Sequence, residues 1–297
     1  MEDKFLMKGN EALAEAAIQA GCRHFFGYPI TPQTELAAYM AKRMPQVDGT
    51  YLQAESEIAA ANMVLGAAGS GVRAMTSSSS PGISLKTEAI SYMAACDIPA
   101  LIVNVQRGGP GLGGIQPSQS DYFQATRGGG HGDYHMIVLA PDSVQEMVSL
   151  TFKGFDLADQ YRMTTMILAD GTMGQMMEPV SLDMGEVKKY DKPWALTGTK
   201  GERKPNIVNS LFLKPDELEV FNIDRYKKYK IVEENEVMYE EYMTEDADIC
   251  IVAFGVAARV SKNAIDEARK NGIKVGMIRP ITLWPFPKKV MCDIADR

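Results

Sequence analysis

Glu57 heads the run Glu57-Ile-Ala-Ala-Ala-Asn-Met-Val-Leu-Gly-Ala-Ala-Gly69, which is helical in pattern and almost wholly apolar. A helix apolar all round is a buried helix, so its leading carboxylate is poorly solvated. Burial disfavours the charged form of a carboxylate and suits it to sharing a proton. The structural alternative is a plain helix start, with Ser56 as cap and Glu55 and Glu57 where the macrodipole favours acids. The apolar helix behind it tips Glu57 towards function. A second segment, Gly27-Tyr-Pro-Ile-Thr-Pro-Gln-Thr34, follows a strand pattern and opens a helix. Thr31 suits the N-cap and Pro32 the N1 position. The two prolines fix the loop and leave the Thr31 hydroxyl placed at the sheet edge where parallel α/β folds bind ligands.

A third segment, Thr76-Ser-Ser-Ser-Ser80-Pro-Gly82, offers four serine hydroxyls as caps or as ligand donors, and the sequence does not choose among them. No histidine lies near it, so a Ser-His-Asp nucleophile is not indicated. The fourth segment runs from Arg107-Gly-Gly-Pro-Gly-Leu-Gly-Gly to Arg127-Gly-Gly-Gly-His131-Gly-Asp-Tyr-His135. Nine of the 26 glycines fall between Gly108 and Gly132. Ordering such a loop costs much entropy, and loops this long are functional or disordered. Arg107, at the end of a strand, has the planar fork that pairs with a carboxylate or phosphate. His131, Asp133 and His135 alternate as ligands on one strand face would, but nothing in the sequence supplies a second shell, and no metal site is assigned. Neither Gly108-x-x-Gly111-x-Gly113 nor Gly255-Val-Ala-Ala matches the dinucleotide fingerprint, and a Walker A loop is absent.

These segments need a scaffold. Strand patterns occur at His24–Tyr28, Tyr51–Ala54, Arg73–Thr76, Leu101–Val105, Met136–Ala140 and Thr165–Ala169. Amphipathic helical stretches separate most of them. Asn10–Ala20 ends at Gly21, and Ser143-Val-Gln-Glu146 is a capping box opening a helix to about Asp159. Alternating strand and helix predicts a mostly parallel sheet covered on both faces. Residues 186–246 break the pattern: 25 of the 61 are Asp, Glu, Lys or Arg, so they are expected to be a connecting segment, solvated or laid across a partner. A second α/β unit follows, with strands Asp248–Phe254 and Lys274–Arg279 around the helix Val256–Lys270. Two strands do not make a stable open sheet, so this unit is expected to be incomplete.

With 297 residues the chain can bury a core, and its soft prior is two domains. Net charge is −7, which speaks against a nucleic-acid partner. No apolar stretch is long enough for a membrane span, and the N-terminus lacks a signal-peptide pattern. The cysteines, at 22, 96, 250 and 292, form no cluster motif. Scattered cysteines fit a reducing cytoplasm and leave no iron–sulfur site on this chain.

Taken in order, YPITP, QAESE with its alanine-rich helix, TSSSSPG and RGGPGLGGIQPSQSDYFQATRGGGHGDY resemble the alpha subunit of 2-oxoacid:ferredoxin oxidoreductases. The likeness runs from about Lys8 to Pro179. The lead-in Met7-Lys-Gly-Asn-Glu-Ala most resembles the 3-methyl-2-oxobutanoate (2-oxoisovalerate) enzymes, while the 2-oxoglutarate enzymes share nearly all the motifs. The resemblance implies a pyrimidine-binding-type thiamine enzyme domain over 1–185, the charged connecting segment over 186–246 and a partial transketolase C-terminal-like domain over 247–297. It implies oxidative decarboxylation of a 2-oxoacid to an acyl-CoA with reduction of ferredoxin. By the same resemblance Glu57 is catalytic and hydrogen-bonds the aminopyrimidine of thiamine diphosphate, favouring its imino form, while Tyr28, Pro29 and Ile30 line the cofactor. Thr31 and Arg107 bind substrate, Arg107 near its carboxylate. The diphosphate and its Mg²⁺ are expected on a beta subunit, because this chain has only Ala169-Asp170-Gly171 of the usual motif. The iron–sulfur cluster is expected on a partner too, and the family admits a gamma subunit. Family members continue past RPITLWPFP, so a truncated second domain is expected. That shortness leaves room for a scaffold or assembly subunit of the same fold, or for a non-oxidative thiamine-dependent activity.

Overall fold

The computed structural model describes residues 4–296. Along the first two-thirds the elements are β1 (Lys4–Lys8), α1 (Gly9–Gln19), β2 (His24–Gly27), α2 (Thr34–Arg43), β3 (Thr50–Gln53), α3 (Glu57–Gly69), β4 (Ala74–Ser78), α4 (Ser80–Ala95), β5 (Leu101–Gln106), α5 (Tyr122–Thr126), β6 (Ile137–Leu139), α6 (Val144–Tyr161), β7 (Thr165–Asp170), α7 (Gly171–Gln175) and β8 (Met177–Ser181). Then come α8 (Pro215–Asn235), β9 (Tyr239–Tyr242), β10 (Ile249–Val252), α9 (Gly255–Lys270), β11 (Val275–Pro280), β12 (Thr282–Trp284) and α10 (Lys288–Ala295).

Each of the six expected strands forms, within one to two residues at its ends. They build one sheet in the order β12–β6–β7–β5–β4–β2–β3, parallel except for β12. The central strands β4, β5 and β7 are buried at every position, as a sheet covered on both faces requires. Helix α1 packs on α2 and α6, and α3 packs on α4. Gly21 takes φ +86°, the left-handed conformation that ends α1 at the predicted residue. At α6, Ser143 Oγ accepts from the Glu146 amide at 3.1 Å. Glu146 reaches back to the Asp142 amide at 3.0 Å, one residue earlier than a capping box would place it.

The stretch 186–246 departs from the expected connector. It carries the 21-residue helix α8 and the strand β9. Helix α8 buries only Arg225, Tyr229 and Val232, so its sequence shows almost no apolar periodicity. Strand β9 pairs antiparallel with β11 and supplies the third strand that the second unit lacked, in the order β10–β11–β9. In turn β12 leaves that unit and joins the main sheet beside β6. There Trp284 stacks on His135, centroids 4.8 Å apart.

An ionic cluster ties the units together. Arg279, 3% exposed, forks onto Glu146 at 2.7 and 2.8 Å and meets Glu240 at 2.7 Å and Asp142 at 3.4 Å. Lys262 reaches Asp142 and Glu240, each at 2.9 Å. No helix among the described residues is long and apolar enough to cross a membrane.

Candidate active site

The carboxyl ends of β5, β4, β2 and β3 are neighbours along one sheet edge, and each leads into one of the four motifs. At the end of β3, Ser56 caps α3 by accepting from the Ala59 amide at 3.2 Å. Glu57 is then the first helical residue and only 7% exposed, while Glu55 is exposed on the loop before it. Gly82, in the first turn of α4, makes the space that Glu57 uses. A Cβ there would lie 2.8 Å from Glu57 Oε1 and 2.1 Å from Ser78 Oγ.

Helix α3 is not buried all round. Ile58 is 47% exposed, and Asn62 and Gly66, one and two turns on, are exposed as well. Nothing lies within 4 Å of a Cβ built on Gly66. The apolar sequence therefore leaves one face of α3 uncovered, beside the Glu57 end.

The serine run divides its labour. Ser77 Oγ donates to Gln33 Oε1 at 2.6 Å, and Gln33 Nε2 donates to the Tyr28 carbonyl at 3.1 Å. This pins the loop of Tyr28, Pro29, Ile30 and Thr31 to β4. Ser80 Oγ donates to Asp121 Oδ2 at 2.6 Å and accepts from the Arg107 amide at 3.0 Å. The hydroxyls of Ser78 and Ser79 are buried without any partner. Unpartnered buried hydroxyls are costly unless a ligand takes them up.

The Thr31 expectation needs correction. Helix α2 starts at Thr34 with Gln33 before it, so Thr31 is not an N-cap and Pro32 is not N1. Instead the Asn10 side chain donates to the Pro32 carbonyl at 2.9 Å, and the Gln33 amide closes a turn on Ile30. These tertiary bonds compete with helix propagation and win. Thr31 is left exposed in the loop. Its carbonyl accepts from Arg107 Nη1 at 3.0 Å.

Arg107 is 6% exposed. Besides Thr31, its Nη2 donates to the Leu112 carbonyl at 3.0 Å, and its Nε is buried without a partner. No carboxylate among the described residues pairs with it, so this guanidinium keeps its charge available to an anion. The glycine loop around it is a tight structure. Arg107 bridges to Pro117, and the Gly108 amide donates to Gln116. Gly113 takes φ +56°, where a Cβ would meet the Gly108 carbonyl oxygen at 1.7 Å. Asp121 fixes the loop's far end on Ser80 and Asn104.

The structure thus links Thr31 to Arg107 directly and places Glu57 across the same edge, beside the free Ser78 hydroxyl. His135 goes elsewhere, into the stack under Trp284, where burial lowers its pKa. Asp170 accepts from the Thr172 and Met173 amides and caps α7. Burial, partly offset by those amides, raises its pKa. Sequence reasoning missed Gln33, Gly82 and Lys86. Gly82 had a signal, since a glycine in the first turn of a helix is poor for propensity and implies close approach.

One edge of this parallel α/β sheet thus carries a buried glutamate at a helix head and a buried arginine without a carboxylate partner. Residues 15–244 match the family model described as pyruvate flavodoxin/ferredoxin oxidoreductase, thiamine diphosphate-binding, and residues 247–297 match pyruvate:ferredoxin oxidoreductase core domain II. The chain belongs to the 2-oxoacid:ferredoxin oxidoreductase family, as an alpha-type subunit. Over 98% of its length it is 53% identical to ketoisovalerate oxidoreductase subunit VorB of Methanothermobacter marburgensis, covering 83% of that protein. It is 37% identical to the 2-oxoglutarate synthase subunit KorA of the same organism, covering 86% of it. Among solved structures it is similar to 2-oxoglutarate:ferredoxin oxidoreductase from Magnetococcus marinus, solved with 2-oxoglutarate, coenzyme A and succinyl-CoA bound. There the TM-score is 0.87 at 31% identity, over 96% of this chain and 55% of that one.

Proposed function

We propose that this chain is the alpha subunit of an enzyme that oxidatively decarboxylates 3-methyl-2-oxobutanoate. The reaction consumes a 2-oxoacid and CoA and yields acyl-CoA and carbon dioxide, with two electrons passed to ferredoxin. The observation that carries this is the buried Glu57 beside the unpartnered Ser78 hydroxyl, on the edge that also holds Arg107 without a carboxylate partner. These residues fit thiamine diphosphate. The Gly82 gap leaves Glu57 room to share a proton with the aminopyrimidine, and Tyr28, Pro29 and Ile30 sit on the loop that Gln33 pins beside it. When bound, the cofactor supplies the electron sink for loss of carbon dioxide. Arg107 would hold the substrate carboxylate, and its bond to the Thr31 carbonyl would keep Thr31 at the same substrate.

A beta subunit would supply the rest. Asp170 is occupied in capping α7, which supports a diphosphate and Mg²⁺ site on another chain. The uncovered face of α3 beside Glu57 supports a partner seated there. The four cysteines, at 22, 96, 250 and 292, are scattered along the chain, which supports an iron–sulfur cluster on a partner; a gamma subunit is compatible with this arrangement. We place the complex in the cytoplasm. The units 1–185, 186–246 and 247–297 remain our division, with β9 and β12 packed across its boundaries.

The higher identity to the ketoisovalerate subunit favours a branched substrate over 2-oxoglutarate. Viologen reduction by the assembled enzyme across a panel of 2-oxoacids, with CoA and thiamine diphosphate, tests this. The expected result is CoA-dependent reduction fastest with 3-methyl-2-oxobutanoate. Preference for 2-oxoglutarate would overturn the substrate. An aldehyde product without CoA dependence, or no reduction by an intact complex, would overturn the activity.

A further inference from the structure

Helix α4 presents two residues one turn apart to the head of α3. Gly82 leaves the gap beside the Glu57 carboxylate. Four residues on, Lys86 fills the space below it. Lys86 is 0% exposed, which is rare for a lysine without an ion pair. Its Nζ donates to the Glu57 backbone carbonyl at 3.3 Å and to Thr76 Oγ1 at 3.0 Å. No carboxylate lies within salt-bridge distance of it among the described residues. The one charge that acts on it is Glu57's. Burial pulls its pKa down to about 8, and the attraction of Glu57 partly opposes this.

A buried ammonium without an ion pair is a liability for folding, and a methionine or leucine of similar volume would serve the core better. Its donors go to the two elements that frame the site, the middle of β4 and the first turn of α3. We propose that Lys86 is a positioning residue, whose buried ammonium holds the head of α3 so that the Glu57 carboxylate faces the aminopyrimidine of the cofactor. This rests on the proposed role of Glu57. Lys86 itself touches neither cofactor nor substrate.

The test is a double-mutant cycle in the assembled complex, with thiamine diphosphate affinity measured by titration calorimetry. Glu57→Gln alone tests the underlying role: unchanged affinity and turnover there would overturn the glutamate reading and this inference with it. Given a loss in Glu57→Gln, Lys86→Met in the wild-type background is expected to weaken cofactor binding about tenfold. In the Glu57→Gln background it is expected to change binding less than twofold, because the group it positions is gone. Lys86→Gln, which keeps a donor, is expected to recover part of the loss. Equal effects of Lys86→Met in both backgrounds, or affinity within twofold of wild type, would overturn the inference. If Lys86→Met fails to assemble, Thr76→Val, which removes one of the two anchors of the ammonium, takes its place with the same expected coupling.

Discussion

Lys86 carries a cost that pH can expose. With its pKa at about 8 in the folded chain and at the ordinary lysine value when unfolded, the unfolded chain binds the proton more tightly. The penalty on folding is therefore fully present below pH 8 and is relieved as pH rises from 8 towards the unfolded value. One pKa step is worth ~1.4 kcal/mol, so the penalty at pH 7 is about 3 kcal/mol and falls to roughly 1 kcal/mol at pH 9.5. The ammonium is fully buried, so solvent screening takes little from this. Lys86→Met removes the penalty but leaves the Thr76 hydroxyl and the Glu57 carbonyl without a donor, at a cost of about 1–2 kcal/mol. Near neutrality the variant should be more stable than wild type by about 1–2 kcal/mol. By pH 9.5 that advantage should have shrunk by roughly 2 kcal/mol, leaving the two nearly equal. Urea unfolding of both chains at pH 7 and pH 9.5 gives the comparison directly. A stability difference that does not change with pH would refute the buried-charge argument. So would a variant less stable than wild type at pH 7.

Other expectations follow from the same geometry. Gly82→Ala should fold at a cost of about 1–3 kcal/mol from overpacking, since its Cβ meets Ser78 Oγ and Glu57 Oε1; its cofactor affinity, measured in the assembled enzyme, should fall at least as far as that of Lys86→Met. Arg107→Ala frees the Thr31 and Leu112 carbonyls, so amide exchange across 108–117 should speed up and the KM for the 2-oxoacid should rise about tenfold or more, as loss of a charge-assisted bond implies. Arg279→Met leaves Glu146 without its partner and Asp142 and Glu240 with Lys262 alone, so the unfolding midpoint should drop by an amount equivalent to about 3 kcal/mol, whereas Lys270→Met at an exposed pair should change it by less than 1 kcal/mol.

Much of the sheet was legible because its central strands β5 and β7 are buried on both faces and read as largely apolar runs between helical stretches. The burial of Glu57 was legible from the apolar helix it heads, although that helix is open along Ile58, Asn62 and Gly66. The sheet edge was less legible where tertiary bonds override local preference. Thr31 has the chemistry of an N-cap, yet Asn10 and Gln33 hold its loop open and delay α2 to Thr34. Helix α8 escaped notice because three buried positions among 21 leave no periodic signal, although Pro215 with Asp216 and Glu217 marks a helix start. Strand β12 is three residues between prolines, and only pairing with β6 makes it a strand. Lys86 could not be found from sequence, because its meaning depends on a contact with α3 that no local pattern records.

The most direct test of the account is Glu57→Gln in the complex assembled with its partner subunits, read by CoA-dependent viologen reduction. The account predicts assembly as in wild type, with turnover reduced by at least a hundredfold, as loss of a positioned acid–base group implies. Wild-type turnover in that variant would contradict it.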